Sequence, residues 1–415
     1  MFRDTASNKR IVVWNAAGSA VYAATSFLLL IIVTRVCGSV EAGVYSIGYA
    51  IAQLMLTVGV FEATTFFATD AENKFSFEQF LAFKILTCVA MVVVSIFYVA
   101  SFGYDTHKAL VAYSLCAFRL FEALAQFWYS SFQKLERLDL GGFASVWRSV
   151  ISIAAFAVFL VPTKDVAGGM VCASLAEVAW IVFYDIPRLN RIVKVGRPDF
   201  SRKPLVALFL ACLPLFIGSF CSTYLGNIPK YAIDAVGTED MQTIFNVLFM
   251  PSFVINLFMI FFIRPTLTKL ALLWLHHDTK PFMRIVAKLL GMVVVITAAC
   301  EVLCAFIGIP ILEWFYGIDL SDHWFALLVV LLGGGIMSAS NVFYNAMVVI
   351  RAQNGVLLGY IVAIIVASLA AQPLVAAMGV TGACWAYVAS SVAVTICFAA
   401  VFFVAFALKK KAWKE

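Results

Sequence analysis

The chain has 415 residues, of which 63% are hydrophobic and only 13% charged. Soluble domains carry roughly 45–50% apolar and about 25% charged residues, so a soluble fold is excluded and the bilayer must solvate much of the surface. The formal charge of +6 collects in polar segments between apolar runs, which reads as membrane topology and calls for no nucleic-acid partner.

A helix needs about 20 apolar residues to cross a bilayer. Twelve such runs are predicted: 11–36, 42–68, 80–102, 109–132, 143–161, 167–187, 205–226, 241–263, 285–308, 324–350, 355–376 and 380–407. The first is too long for a signal-peptide core and lacks a small-residue cleavage site, so it is read as a retained helix. The segment 227–240 is too polar to span. The stretch 266–277 reads either as an amphipathic helix in the interface or as a loop between Pro265 and Pro281. The ten cysteines lie mostly inside apolar runs without paired spacing. They read as small hydrophobes, and neither a disulfide framework, a metal cluster nor a cofactor is expected.

With the N-terminus placed inside, 22 of the 29 Lys and Arg residues fall in cytoplasmic segments. The same assignment puts both termini in the cytoplasm. The most basic loop, 188–204, divides the chain into 1–200 and 201–415, each with six spans. The halves echo each other at an offset of 214: Arg137-x-x-x-Gly141 matches Arg351-x-x-x-Gly355, and Val166-x-Gly168 matches Val380-x-Gly382. A duplicated six-helix unit is therefore expected, with both copies running the same way through the membrane.

Charges inside spans are costly and must face a protein interior or a wet cavity, about 2.5–3.5 kcal/mol each on insertion scales. Arg119 and Glu122 stand three residues apart in the fourth run, on one helix face and within pairing reach. Glu177 is the other deep charge of the first half. Lys84 and Arg148 lie nearer the cytoplasmic ends of their runs, Glu62 near the end of run two, and Arg35 and Lys230 at the outer side. The ionisable groups thus concentrate in the first half. The second offers mainly Asn256, Asn341, Asn345 and Gln372, with Glu301 its sole acid well inside a run.

Several motifs resemble the oligosaccharide flippases of the polysaccharide-export family, in the MOP superfamily that also holds the MATE drug exporters. They are Asn15-x-x-Gly18; Thr34-Arg35-x-x-Gly38-x-x-x-x-Gly43-x-Tyr45; Phe132-Gln133 through Arg137 and Asp139; Asn227-Ile228-Pro229-Lys230-Tyr231; Arg264-Pro265; and Tyr316-Gly317 with Asp319-Leu320-Ser321. The resemblance implies an all-α polytopic protein of twelve helices, in two six-helix bundles around a central cavity, in a bacterial inner membrane. It implies a substrate as well: a polyprenyl-diphosphate-linked oligosaccharide repeat unit, moved to the outer leaflet for cell-surface polysaccharide synthesis. No enzymatic step is implied.

A diphosphate leaving water needs cations, and the planar arginine fork suits it. Arg119, Arg148 and Lys84 are the expected anion site, with Arg35, Lys230 and Asn15 added by the motif resemblance. Glu122, Glu177 and Glu62 are the expected salt-bridge or coupling groups for Na+ or H+. Two further classes stay open. A MATE-type drug antiporter shares the fold, although run one lacks the acidic residue such exporters often place there. A membrane-embedded glycosyl- or acyl-transfer enzyme would want a large outer loop or an embedded histidine, and all four histidines lie in predicted loops.

Overall fold

The computed structural model describes residues 8–69, 74–193, 196–352 and 354–412. Arg3, Lys194 and Lys414, part of the basic bias, lie outside them, and the side chains of Arg264 and Pro265 are likewise not described. All regular structure among the described residues is helical. The first unit comprises α1 (Asn8–Cys37), α2 (Ser39–Val60), α3 (Ala63–Thr69), α4 (Phe77–Ala100), α5 (Thr106–Lys134), α6 (Leu138–Thr163), α7 (Val166–Trp180), a π-helical turn Ile181–Asp185 and α8 (Ile186–Asn190). Then follow α9 (Arg202–Val236), α10 (Glu239–Leu275), α11 (Thr279–Tyr316), α12 (Trp324–Val349) and α13 (Asn354–Ala412). Two compact units emerge, Met1–Phe220 and Cys221–Glu415. Their division falls inside α9, past the basic loop where the sequence places it.

Helix starts follow local chemistry. Ser76 and Gln79 form a reciprocal capping box on α4, Asp105 caps α5 through the Lys108 amide, and Thr238 caps α10 through the Met241 amide. Each cap satisfies an amide the helix itself leaves unbonded. Among the described residues, eleven helical stretches are long and apolar enough to cross a membrane. The last, Gly355–Lys411, is 57 residues long and is broken at Gly379, whose φ of 58° and ψ of −130° are not helical. Glycine alone adopts that conformation without a side-chain clash. The break yields two spans, so twelve crossings are accommodated.

Three predicted boundaries differ. Run two is cut after Val60, where Phe61 and Glu62 both take positive φ, 46° and 53°. Such residues are held by their surroundings. Phe61 stacks on Phe216 at 4.2 Å between ring centroids, and the Glu62 carboxylate accepts bonds from Thr65 and Ser219. The polar segment after run seven is not a loop: α9 continues through it to Val236, so the Asn227–Tyr231 motif is helical. The stretch 266–277 extends α10 as far as Leu275, where Trp274 packs on Phe282 and Phe406. Aromatic burial there outweighs the weak apolar signal of the segment.

In the first unit a cluster around Phe67, Phe80, Phe127 and Phe132 seals one end of α3, α4 and α5. The basic loop returns to that end: the Asp199 amide donates to the Glu78 carbonyl at 3.0 Å, and Gln79 donates to the Asp199 carboxylate at 3.1 Å. Hydrogen bonds from Ser201 hold the half-buried Asp199 carboxyl below the usual carboxylate range.

Helix α1 lies against α6 at glycines. A Cβ on Gly18 would meet the Gly142 carbonyl oxygen at 2.9 Å, and one on Gly142 would collide with the Trp14 backbone. Close backbone approach through small residues is how helices pack when lipid surrounds them. Gly142→Val should therefore push α1 off α6, at a cost of about 1–3 kcal/mol for overpacking. Thermal unfolding in detergent checks this: a several-degree drop is expected, with Gly218→Val as a control because space at Gly218 is open.

Candidate functional site

The α1–α6 contact brings two side chains of α1 toward α5. Asn15 accepts a hydrogen bond from the Tyr129 hydroxyl. Tyr22, two turns further, donates to Glu122, and Gln126 reaches both groups at 3.4–3.5 Å. On the other side, Glu122 is bonded by Arg119, whose guanidinium also donates to the Tyr49 hydroxyl of α2 and lies 4.4 Å from the Tyr49 ring centroid. The i, i+3 spacing read in the sequence is thus a real pair, with Arg119 5% and Glu122 3% exposed. One guanidinium edge serves the carboxylate while its face covers an aromatic ring, a geometry open to arginine and not lysine. The Arg119 Nε–H remains buried without an acceptor.

Across the same interior, Arg148 of α6 lies 3.9 Å from Glu177 and 3.5 Å from Asp185. Glu177 and Asp185 are eight residues apart. On a regular α-helix that separation leaves them about 80° apart around the axis. The π-turn Ile181–Asp185 inserts one extra residue and swings Asp185 back to the Glu177 face, as π-bulges at functional positions do. Asp185 is 1% exposed, and Glu177 Oε2 is buried without a hydrogen-bond partner.

These groups meet at two cavities of the first unit. A smaller one, about 150 Å³, is lined by Tyr22, Tyr49, Arg119, Glu122, Arg148 and Glu177 among others. A larger one, about 480 Å³, adjoins it through Tyr22 and Arg148. Its remaining polar lining is uncharged: Ser19, Thr64, Thr65, Gln126, Tyr129 and Gln133 are prominent. Pockets that enclose organic ligands run to about 300–1,000 Å³, so the larger chamber is of that size and the smaller is not. A charged seam with two guanidiniums therefore borders a chamber of hydroxyls and amides. The three carboxylates of the seam (Glu122, Glu177, Asp185) outnumber its two guanidiniums.

The structure sorts the sequence-predicted residues as follows. Arg119, Arg148, Glu122 and Glu177 are brought together. Asn15 borders the larger chamber through Tyr129, and Glu62 borders it through its bond to Thr65. Lys84 is not brought in. Its ammonium is fully buried and donates to the Gly59 carbonyl at 2.7 Å, an oxygen shared with the Thr87 hydroxyl. It is a bond between α4 and the end of α2. Lys84→Met should therefore act on this contact alone, read as a lower unfolding temperature in detergent, since no cavity group loses a partner. Arg35 ends α1 in an exposed position and is not among the lining residues of either cavity. Lys230 belongs to the second unit. It is 7% exposed within α9, 5.5 Å from the Phe249 ring centroid. Lys230, expected at the outer side beyond run seven, is thus a buried residue of a continuous helix. That half also carries an amide ladder, with Asn341 donating to Asn256 at 2.9 Å and Asn345 to the Asn341 carbonyl at 2.7 Å.

No known family model matches the sequence, and no curated protein is similar to it. Solved structures are similar in fold. An inward-facing multidrug resistance MATE family transporter of the MOP superfamily superposes with a TM-score of 0.70 at 12% identity, covering 96% of this chain and 99% of that one. The lipid II flippase MurJ in an inward closed conformation gives 0.65 at 15% identity, over 95% and 87%. A MOP superfamily transporter from Pyrococcus furiosus, described as having a binding pocket of reverse polarity, gives 0.60 at 12%, over 98% and 96%. The chain has the fold of MOP superfamily transporters: it is an all-α, multi-pass membrane protein whose structural neighbours are transporters and flippases.

Proposed function

We propose that the protein is a flippase that carries polyprenyl-diphosphate-linked oligosaccharide from the cytoplasmic to the outer leaflet of a bacterial inner membrane, by alternating access of its two units. The observation that carries this reading is the pairing of chambers in the first unit. The guanidiniums of Arg119 and Arg148 supply charge-assisted donors for a diphosphate, and Arg148 borders both chambers. The hydroxyl- and amide-lined chamber beside them offers the neutral hydrogen-bonding groups a glycan needs. A prenyl tail would stay in lipid. The similarity to a lipid II flippase supports the lipid-linked class, and the carboxylate surplus of the seam supports coupling to Na+ or H+, with Glu177 or Asp185 as the group that takes the ion.

The same surplus favours a second reading, a cation-coupled drug antiporter, which the similarity to MATE structures also accommodates. Gene deletion separates the two. The flippase reading expects loss of surface polysaccharide with lipid-linked sugar accumulating inside. Intact polysaccharide with heightened sensitivity to cationic drugs would favour the antiporter.

A further inference from the structure

The second unit carries a groove at the end of α13 where its two segments lie side by side. Gly355 opens the first segment, and Ala400, Val401 and Val404 belong to the second. A Cβ on Gly355 would run into the Val401 side chain, so the two segments touch there. The groove measures about 470 Å³, and its exposed lining is almost wholly apolar. Val404 and Leu408 on its wall are 60% and 65% exposed. At its rim stand two cations, Arg351 and Lys409.

The 214-residue offset read in the sequence sets those cations beside a neutralised counterpart. In the first half Arg137 is neutralised by Asp139, with bonds of 2.9 and 3.2 Å from its Nε and one terminal nitrogen. Arg351 matches Arg137 at the shared offset, but the residue matching Asp139 is Gln353. The deficit extends well beyond one position: from Trp324 to Lys414 the chain contains no Asp or Glu, with Glu415 the one acid that follows, while it carries Arg351, Lys409, Lys410, Lys411 and Lys414. Helices α12 and α13 therefore offer no carboxylate to this end. An apolar groove beside two cations that pair with no carboxylate among the described residues is complementary to one kind of neighbour in a bilayer.

We propose that this groove is a binding site for an anionic phospholipid of the leaflet that the Lys/Arg asymmetry assigns to the cytoplasm. The headgroup phosphate sits between Arg351 and Lys409, and one acyl chain lies along Gly355, Ala400, Val401 and Val404. The site is separate from the transport chambers and independent of the substrate they take. Basic residues near a membrane surface attract anionic lipid by about 1 kcal/mol each, roughly fivefold in affinity. A fixed groove adds a defined stoichiometry and a dependence on chain packing.

The test uses the full-length protein in detergent micelles doped with phosphatidylglycerol or with phosphatidylcholine, reading lipid retention by native mass spectrometry and thermal stability in parallel. One phosphatidylglycerol should be retained in preference to phosphatidylcholine and should raise the unfolding temperature. Arg351→Gln and Lys409→Gln should each weaken that retention about fivefold. Ala400→Phe, which fills the groove and leaves both charges in place, should abolish the one-lipid peak. Lys410→Gln, which removes a charge outside the groove, should weaken retention by less than either rim variant. Equal losses for Lys410→Gln and Arg351→Gln would overturn the proposal in favour of a diffuse basic surface. So would full retention by Ala400→Phe, or the same thermal shift from inorganic phosphate alone, since neither uses the groove.

Discussion

Arg119→Ala should remove most of the protein from the membrane. The substitution leaves the Glu122 carboxylate buried without its cation, and breaking a buried pair from one side costs about 3–5 kcal/mol. Tyr22 and Gln126 still donate to Glu122, but neutral donors do not replace a charge. The double variant Arg119→Ala with Glu122→Ala should recover abundance, because no orphaned charge remains, while transport stays lost. Arg119→Lys separates binding from folding. An ammonium can hold Glu122, but it cannot bond Tyr49 at the same time and cover its ring as a plane. Near-normal abundance with transport reduced at least about tenfold is expected, the equivalent of about 1.4 kcal/mol. Quantitative immunoblotting beside a transport assay provides both readouts. Normal transport by Arg119→Lys would move the anion site elsewhere.

The second large effect is expected at Arg148. Its guanidinium is the cation that the structure sets against both Glu177 and Asp185. Arg148→Met keeps much of the side-chain volume and leaves two buried carboxyls facing each other. Like charges at such a site cannot both stay ionised, so stability should fall by several kcal/mol, within the range for stranded buried charge. Adding Glu177→Gln and Asp185→Asn should restore most of the loss of abundance. Transport should remain absent in the triple variant, because Arg148 also borders the uncharged chamber. A triple variant that transports normally would show that the seam is structural only. Unfolding temperature and abundance for wild type, the single variant and the triple variant decide the stability part.

The residues at these two positions show how far the sequence reaches. Arg119 and Glu122 were legible because helical spacing alone brings i and i+3 together. Glu177 is legible singly as a deep charge and Arg148 as a cation nearer the cytoplasmic end of its run, but their meeting depends on the packing of α6 against α7. Asp185 was missed. It stands at the end of a predicted run, where an acidic residue is unremarkable, and only the π-turn sets it beside Glu177. Tyr22, Tyr49 and Gln126 were missed for a different reason. Tyrosine and glutamine are common enough in membrane helices that nothing marks which face the interior. Lys84 is a charge inside an apolar run, and that alone does not distinguish a ligand from a hydrogen bond to a neighbouring carbonyl, here that of Gly59. Lys230 was placed outside the helix because polar neighbours in 227–240 outweighed helix continuity in a hydropathy reading. Span number was legible to within the break at Gly379, since length and apolarity set it.

The central claim is tested most directly with purified protein in vesicles containing a fluorescent polyprenyl-diphosphate oligosaccharide, following its passage between leaflets by quenching from outside. Wild-type vesicles should equilibrate the lipid well above the rate of protein-free vesicles, and Arg119→Lys should slow that passage at least about tenfold. Passage no faster than in protein-free vesicles, together with ion-driven movement of an organic cation in the same preparation, would contradict the flippase assignment.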